Sequence, residues 1–409
     1  MLDGKLNISD SRRLQRMVAL HAVSMLAQIG QFALGSILLP IALEDKKVSP
    51  EVIGFTSAAF WLGMLAGLLV VGYVSQKISF RNTVIVGLLM SAASFIMLPL
   101  IEMSAASFIM LPLIDWRWWA LLSATIGFGT GLRWIASETW LYRLAPAEAR
   151  GRVVGIQETL IGLAQILGPL IIVFLGASKP SVFWMAAAII TVGIMPLFIA
   201  LTLPAMDTTA TSKNLTIANS SQFSFKRMML LLSYGGFIAG IGGWIEGSLI
   251  ALLPVYNTDI GLHAADTAWL LTILGVGLMM FQYPVGWLAD TKGVNWTAKL
   301  CALIGLTGTL VAMVFGTHFF ALEIAVFLLG GVCGGLLTLG LVWATQHSKG
   351  AELTNNLRQV SITYTLLSAA GPLVAGFVVS HSNSSSLFWQ QLVVVFVLIL
   401  VLFKQTKED

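Results

Sequence analysis

Charge is what this chain has least of. Only 10 % of its 409 residues are Asp, Glu, Lys or Arg, against about 25 % in a soluble domain. So few charges cannot clothe a water-soluble globule of this size, so most of the surface faces lipid. Cysteine is almost absent too. Cys301 and Cys333 both lie inside apolar runs and read as small core residues, with no Cys-Cys or Cys-His spacing suited to a metal. No Walker-type glycine loop is present, and His, Asp and Cys do not cluster at one depth. Disulfide scaffolds, metal centres, nucleotide hydrolases and membrane enzymes are therefore disfavoured. The net charge of +4 comes from loop lysines and arginines and points to no nucleic-acid partner.

What is present is hydrophobic length. Runs able to cross about 30 Å of hydrocarbon fall at residues 17–43, 51–74, 82–101, 118–143, 153–176 and 181–203. Six more follow at 228–256, 266–289, 296–316, 319–345, 358–380 and 387–403. Twelve spans are expected. The first run is too long for a signal peptide and lacks a cleavage site, so it is expected to stay as an anchor. Residues 204–227 are rich in Ser, Thr and Asn and read as a flexible linker. An N-terminal six-span bundle at 1–203 and a C-terminal one at 228–409 would lie on either side. With the N-terminus inside, eighteen of the 23 Lys and Arg fall in cytoplasmic segments. Both termini are thus expected in the cytoplasm.

The halves repeat. Pro40 and Pro254 are 214 positions apart, as are Gly72 and Gly286. Gly127 and Gly330, Gly131 and Gly334, Trp140 and Trp343, and Gly168-Pro169 and Gly371-Pro372 are each 203 apart. Repeated helix bundles are a known transporter architecture. The change of offset has a visible cause. MSAASFIMLPLIE at 90–102 is followed at once by MSAASFIMLPLID at 103–115, a tandem duplication between the third and fourth spans. Thirteen residues are too few to cross a bilayer. The extra copy is expected to lengthen the third helix or lie in the interface, with no part in transport.

Two loops carry a family resemblance. Gly72-Tyr-Val-Ser-Gln-Lys-Ile-Ser-Phe-Arg81 follows the second span, and Gly286-Trp-Leu-Ala-Asp-Thr-Lys-Gly293 follows the eighth. Both resemble the short signature loop of the major facilitator superfamily. The resemblance implies an all-α membrane fold of two pseudo-symmetric six-helix bundles, rocking about a central cavity lined by spans 1, 4, 7 and 10. It implies a secondary transporter of a bacterial inner membrane, working without ATP or a prosthetic group. The departures are specific. Gln76 stands where the first loop of the family has Asp, whereas Asp290 keeps it in the second. Ser123 occupies the place of a common fourth-helix Arg. Gly168-Pro169 resembles the exporters' antiporter motif, but Ala164, Ile172 and Val173 replace its flanking glycines.

Mid-depth polar residues are the candidate site. Arg133 lies about 22 Å into its run, where an ionisable group costs several kcal/mol unless it faces protein or a wet cavity. It would bind an anionic group or steady a proton-carrying carboxylate, the alternative being an Arg satisfied by backbone carbonyls. Glu246 sits near the midplane of the seventh span, where a carboxylate can load and release protons near neutral pH. A permanent ion pair is its alternative. Gln28 and Gln31, three apart on one face, together with Gln165 and Gln282, are candidates for substrate hydrogen bonds or helix–helix bonds. Trp134 and Trp244 could supply a flat apolar wall. Glu138, nearer the cytoplasm, is expected to hold Lys77 or Arg81 in a gate, with Asp290 and Arg143. His21 reads as a satisfied residue near the inner face, and Glu158 as an interfacial or gate residue.

The expectation is a proton-coupled, alternating-access transporter of a small anionic or zwitterionic solute, a siderophore or metabolite. It would act as a monomer in contact with lipid, with no metal. Export of amphipathic drugs is the alternative within transport, and a non-transporting membrane sensor the alternative outside it.

Overall fold

The computed structural model of the chain describes residues 8–107, 116–145, 150–176, 179–201, 234–347 and 350–405. Every regular element among them is a helix. In hydrocarbon a backbone N–H or C=O has no water to bond, so a spanning segment must satisfy its polar groups internally. The elements are α1 Ile8–Ala27, a π-helical turn Gln28–Leu34, α2 Gly35–Asp45, α3 Pro50–Ser107, α4 Trp116–Leu144, α5 Arg150–Leu175, α6 Pro180–Val192 and α7 Met195–Leu201. After the linker come α8 Tyr234–Asp259, α9 Ala264–Lys292, α10 Val294–Phe315, α11 Phe319–His347, α12 Gly350–His381 and α13 Ser386–Gln405. The linker 204–227 lies outside the described residues.

Ten helical segments among the described residues are long and apolar enough to cross a membrane, against twelve spans expected. Two features account for the difference. Pro50–Ile101 counts once although it is 52 residues long, about 78 Å at helical rise and more than twice a hydrocarbon core. It bends at Ser79, whose φ of 74° and ψ of 158° are not helical. Trp116–Leu144, which carries Arg133 and Glu138, is not among the ten. α3 runs through the first copy of the duplicated segment and ends at Ser107, five residues into the second. Residues 108–115 lie outside the described set.

The repeat read from sequence recurs as contacts. A Cβ placed on Gly63 would lie 2.0 Å from the Ala124 carbonyl oxygen, and one on Gly277 would lie 2.1 Å from that of Phe327. Gly127 meets Phe60 O at 1.9 Å and Gly330 meets Leu274 O at 2.2 Å; Gly131 meets Met64 O at 2.4 Å and Gly334 meets Leu278 O at 2.6 Å. Each contact in one half maps onto its counterpart by the same two offsets. These helices pack backbone to backbone, the close approach that small residues permit where no hydrophobic force distinguishes lipid from protein.

The halves also touch each other. A Cβ on Gly54 in α3 would lie 2.2 Å from Pro372 O in α12, and one on Gly376 would lie 2.7 Å from Pro50 O. On the other flank Gly162 of α5 packs on Met279 of α9, and Gly275 of α9 on the Gln165 backbone. Glu44 at the end of α2 is hydrogen-bonded to Thr258 near the end of α8. The α3–α12 and α2–α8 contacts lie at the helix ends remote from the chain termini.

Candidate functional site

Arg133 is the largest fully buried cation-bearing side chain of the described structure, 1 % exposed. The π-helical turn opposite supplies its partners. Nε donates to Gln31 Oε1 at 3.0 Å and Nη2 donates to Gln28 Oε1 at 3.0 Å. Gln31 in turn donates to Gly87 O at 2.9 Å and to Ser91 Oγ at 2.8 Å in α3. Three helices are thus tied through one guanidinium. π-turns inside α-helices are frequent at functional sites, and all seven residues of this one are buried. Its hydrogen bonds go to neutral amides, which orient it without cancelling its charge, and the carboxylate that acts on it through space is Glu138 of the same helix. An uncompensated buried ion costs several kcal/mol.

Glu246, 2 % exposed, sits in the other half on α8. Its carboxylate accepts a hydrogen bond from the Tyr364 hydroxyl of α12. Glycines bring that partner close: a Cβ on Gly243 would lie 2.4 Å from Tyr364 O, and one on Gly247 would lie 2.2 Å from Ser368 O. Arg133 and Glu246 therefore each find a polar partner within their own half.

The remaining candidates separate into two groups. Glu138 accepts from Trp134 Nε1 at 2.5 Å, one helical turn away, so these two residues engage each other. Lys77 instead lies over the Tyr73 ring, 4.6 Å from its centroid, and Arg81 Nε donates to Asn82 at 3.1 Å. The carboxylate of Glu138 is not what either cation bonds. Asp290 is exposed at the end of α9, and Arg143 lies in the last turn of α4 with its side chain outside the described set. Gln165 and Gln282 are partly buried in α5 and α9. The Trp244 indole nitrogen is buried without a partner. His21 is bonded to Gln157, Nδ1 to Oε1 at 2.9 Å, and Glu158 is exposed. Both cysteines are free and buried. No group of three or more His, Cys, Asp or Glu among the described residues could hold a metal.

Sequence reading missed Tyr364, Ser91 and Gln157. Gln157 sits beside Glu158 and Thr159, and Tyr364 between Thr363 and Thr365, so neither stands out from its polar neighbours. The bond that Ser91 accepts from Gln31 depends on how α3 crosses the first span, for which the sequence holds no sign.

Comparison with known proteins agrees with this architecture. The family profile described as Major Facilitator Superfamily matches residues 20–262 and 232–409. An uncharacterised MFS-type transporter, YcaD of Escherichia fergusonii, is 23 % identical over 370 residues, covering 90 % of this chain and 91 % of its own. Its counterpart in Escherichia coli is 24 % identical over 367 residues, with 90 % of each chain covered. Among solved structures, a mutant form of the nucleoside transporter NupG superposes with a TM-score of 0.73 at 14 % identity, over 96 % of this chain and 99 % of its own. A D-xylose–proton symporter gives 0.70 at 16 % identity, over 96 % and 97 %. Two copies of one glycine-packed helical unit, and a profile match spanning both, leave one assignment: the chain belongs to the Major Facilitator Superfamily and is a multi-pass transporter of the bacterial inner membrane, not an enzyme.

Proposed function

We propose that this transporter couples the proton gradient to movement of a small anionic or zwitterionic organic solute by alternating access, as a monomer and without a prosthetic group. The observation that carries the reading is the Arg133 guanidinium, buried and held by two neutral amides. Glu246, buried in the opposite half, is the proton carrier in this reading, and Tyr364 is the donor that steadies its charged form.

Charge counting over these two groups gives the coupling rule. In the empty carrier Arg133 is a buried cation and Glu246 a buried carboxylate, so together they are neutral. With Glu246 protonated and an anion on Arg133 the sum is neutral again. Loading the proton alone leaves +1, and loading the anion alone leaves −1. Each unbalanced charge in a low-dielectric interior costs several kcal/mol, so the half-loaded forms resist changing conformation. One proton and one monoanion then cross together. Two repeats touching through Gly54–Pro372 and Gly162–Met279 support a rocking motion. With termini in the cytoplasm, contact at the remote end of α3 and α12 corresponds to a carrier closed to the outside.

The experiment is uptake into proteoliposomes under an imposed pH gradient or an imposed potential. For a monoanion the pH gradient drives accumulation and the potential alone does not. A Glu246→Gln variant is expected to exchange solute without accumulating it. Normal pH-driven accumulation by that variant overturns the assignment.

A further inference from the structure

Arg133 uses the carbonyl oxygens of Gln28 and Gln31. The Gln28 Nε2 group therefore points away from the guanidinium, and it is buried with no partner. One helical turn earlier the Ser24 hydroxyl is also buried and unpartnered. Gln157 of α5 repeats the pattern. Its Oε1 is taken by His21, and its Nε2 is buried without a partner. Gln28, Ser24 and Gln157 are each at most 1 % exposed.

These groups lie along one stripe. His21, Ser24, Gln28 and Gln31 recur at the three-and-four spacing that puts residues on one helix face. The contacts His21–Gln157 and Ala33–Gly168 show that α5 runs alongside this stripe in the same direction. In this register the small side chain of Ala164 falls opposite Gln28. Unpaired buried amide and hydroxyl groups cost free energy, and a run of them beside a cation bonded to neutral amides is arranged for a ligand. The amides offer N–H donors and the serine a hydroxyl, so the ligand presents acceptors.

We propose that Gln28, Ser24 and Gln157 form a second subsite, continuous with Arg133, that reads a neutral hydrogen-bond acceptor on the far end of the solute. This rests on Arg133 taking the solute's anionic group, as argued above, and adds the shape of the rest of the molecule. From the level of Gln28 the stripe reaches Ser24 in about 6 Å and His21 in about 10 Å. The solute is then a monocarboxylate whose carbonyl or ether oxygen lies about 6–10 Å from the carboxylate. Gln157 contacts the solute directly, and His21, bonded to its Oε1, is the residue that positions it.

The test is ligand-induced thermal shift on the purified full-length chain, with two probe series: oxo-carboxylates whose carbonyl lies about 6–10 Å from the carboxylate, and unsubstituted carboxylates of equal length. The wild type is expected to bind the oxo series about tenfold tighter, the worth of one or two neutral hydrogen bonds. Gln157→Leu removes that preference and leaves the unsubstituted series unchanged. Arg133→Gln weakens both series. Equal binding of the two series by the wild type, binding of neither, or a preference that survives Gln157→Leu overturns the subsite. If Arg133→Gln still weakens both series in those cases where binding occurs, the anion site stands without it. If Arg133→Gln leaves both series unchanged, the anion site fails as well. Should Gln157→Leu not purify as a single species, Ser24→Ala replaces it, with a preference reduced about threefold expected and an unchanged preference overturning the proposal.

Discussion

Ser79 and Gly293, 214 positions apart, share one backbone conformation: φ 74° and ψ 158° at Ser79, φ 87° and ψ 154° at Gly293. The following turn matches as well, Thr83 Oγ1 donating to Ser79 O at 2.8 Å and Thr297 Oγ1 to Gly293 O at 2.9 Å. Both residues reverse the chain between paired helices, in the loops that resemble the family signature. Only glycine adopts this region without a Cβ penalty, and another residue there costs about 1–3 kcal/mol.

Ser79→Gly is therefore expected to stabilise the protein. Glycine gives back about 0.5–1 kcal/mol of chain entropy. The 3.5 Å contact from Asn82 N to Ser79 Oγ is worth only a few tenths on exchange for Gly. The net gain is about 1 kcal/mol, read as a melting temperature higher by about 1–3 °C. Gly293→Ser should move it down by a similar amount.

The same turn shows what sequence could and could not supply. Spans ending near 74 and starting near 82 leave a loop between them, yet the helix continues through it except at Ser79. One residue at positive φ is enough to reverse the chain, so the polar tract did not need to unwind. The repeat was legible because Gly and Pro sit where backbones cross, and such positions keep their residue type in both halves. Arg133, Glu246, Gln28 and Gln31 were legible because polarity in an apolar run is conspicuous. Their partners were not. Tyr364 meets Glu246 across 118 positions, and nothing local to either residue encodes that meeting.

Helix packing in the N-terminal half should fail at a single methyl. A Cβ on Gly127 would lie 1.9 Å from Phe60 O, against backbone that cannot rotate away. Gly127→Ala is expected to lose most monodisperse protein on size-exclusion chromatography. Gly155→Ala, with nothing within 4 Å of its Cβ, is expected to behave as wild type or better, since alanine is the stronger helix former.

Trp134 and Glu138 should be energetically coupled. Removing the indole donor with Trp134→Phe leaves the carboxylate without that hydrogen bond, and hydrogen bonds to charged groups are worth about 1.5–3 kcal/mol. Glu138→Gln keeps an acceptor and loses the charge. The double variant is expected to be more stable than the two single losses summed, by about 1 kcal/mol in a mutant cycle read by thermal melts. Simple additivity would mean that the charge of Glu138 adds nothing to the bond.

Arg133 separates function from structure most cleanly. A guanidinium that ties α4 to the π-turn for stability should be missed when removed, and the melting temperature should fall. A guanidinium kept for an anion should be a burden in the empty protein, because its charge is buried against neutral amides. Removing a buried ion that has no hydrogen-bonded counter-ion also removes its desolvation cost, several kcal/mol, and Glu246 keeps the interior neutral by holding its proton. Gln at this position can still bond an amide of Gln28 or Gln31 and fills much of the same space. Arg133→Gln is thus expected to melt at or above the wild-type temperature while pH-driven uptake drops more than tenfold. Lower stability with uptake intact would instead mark Arg133 as a strut.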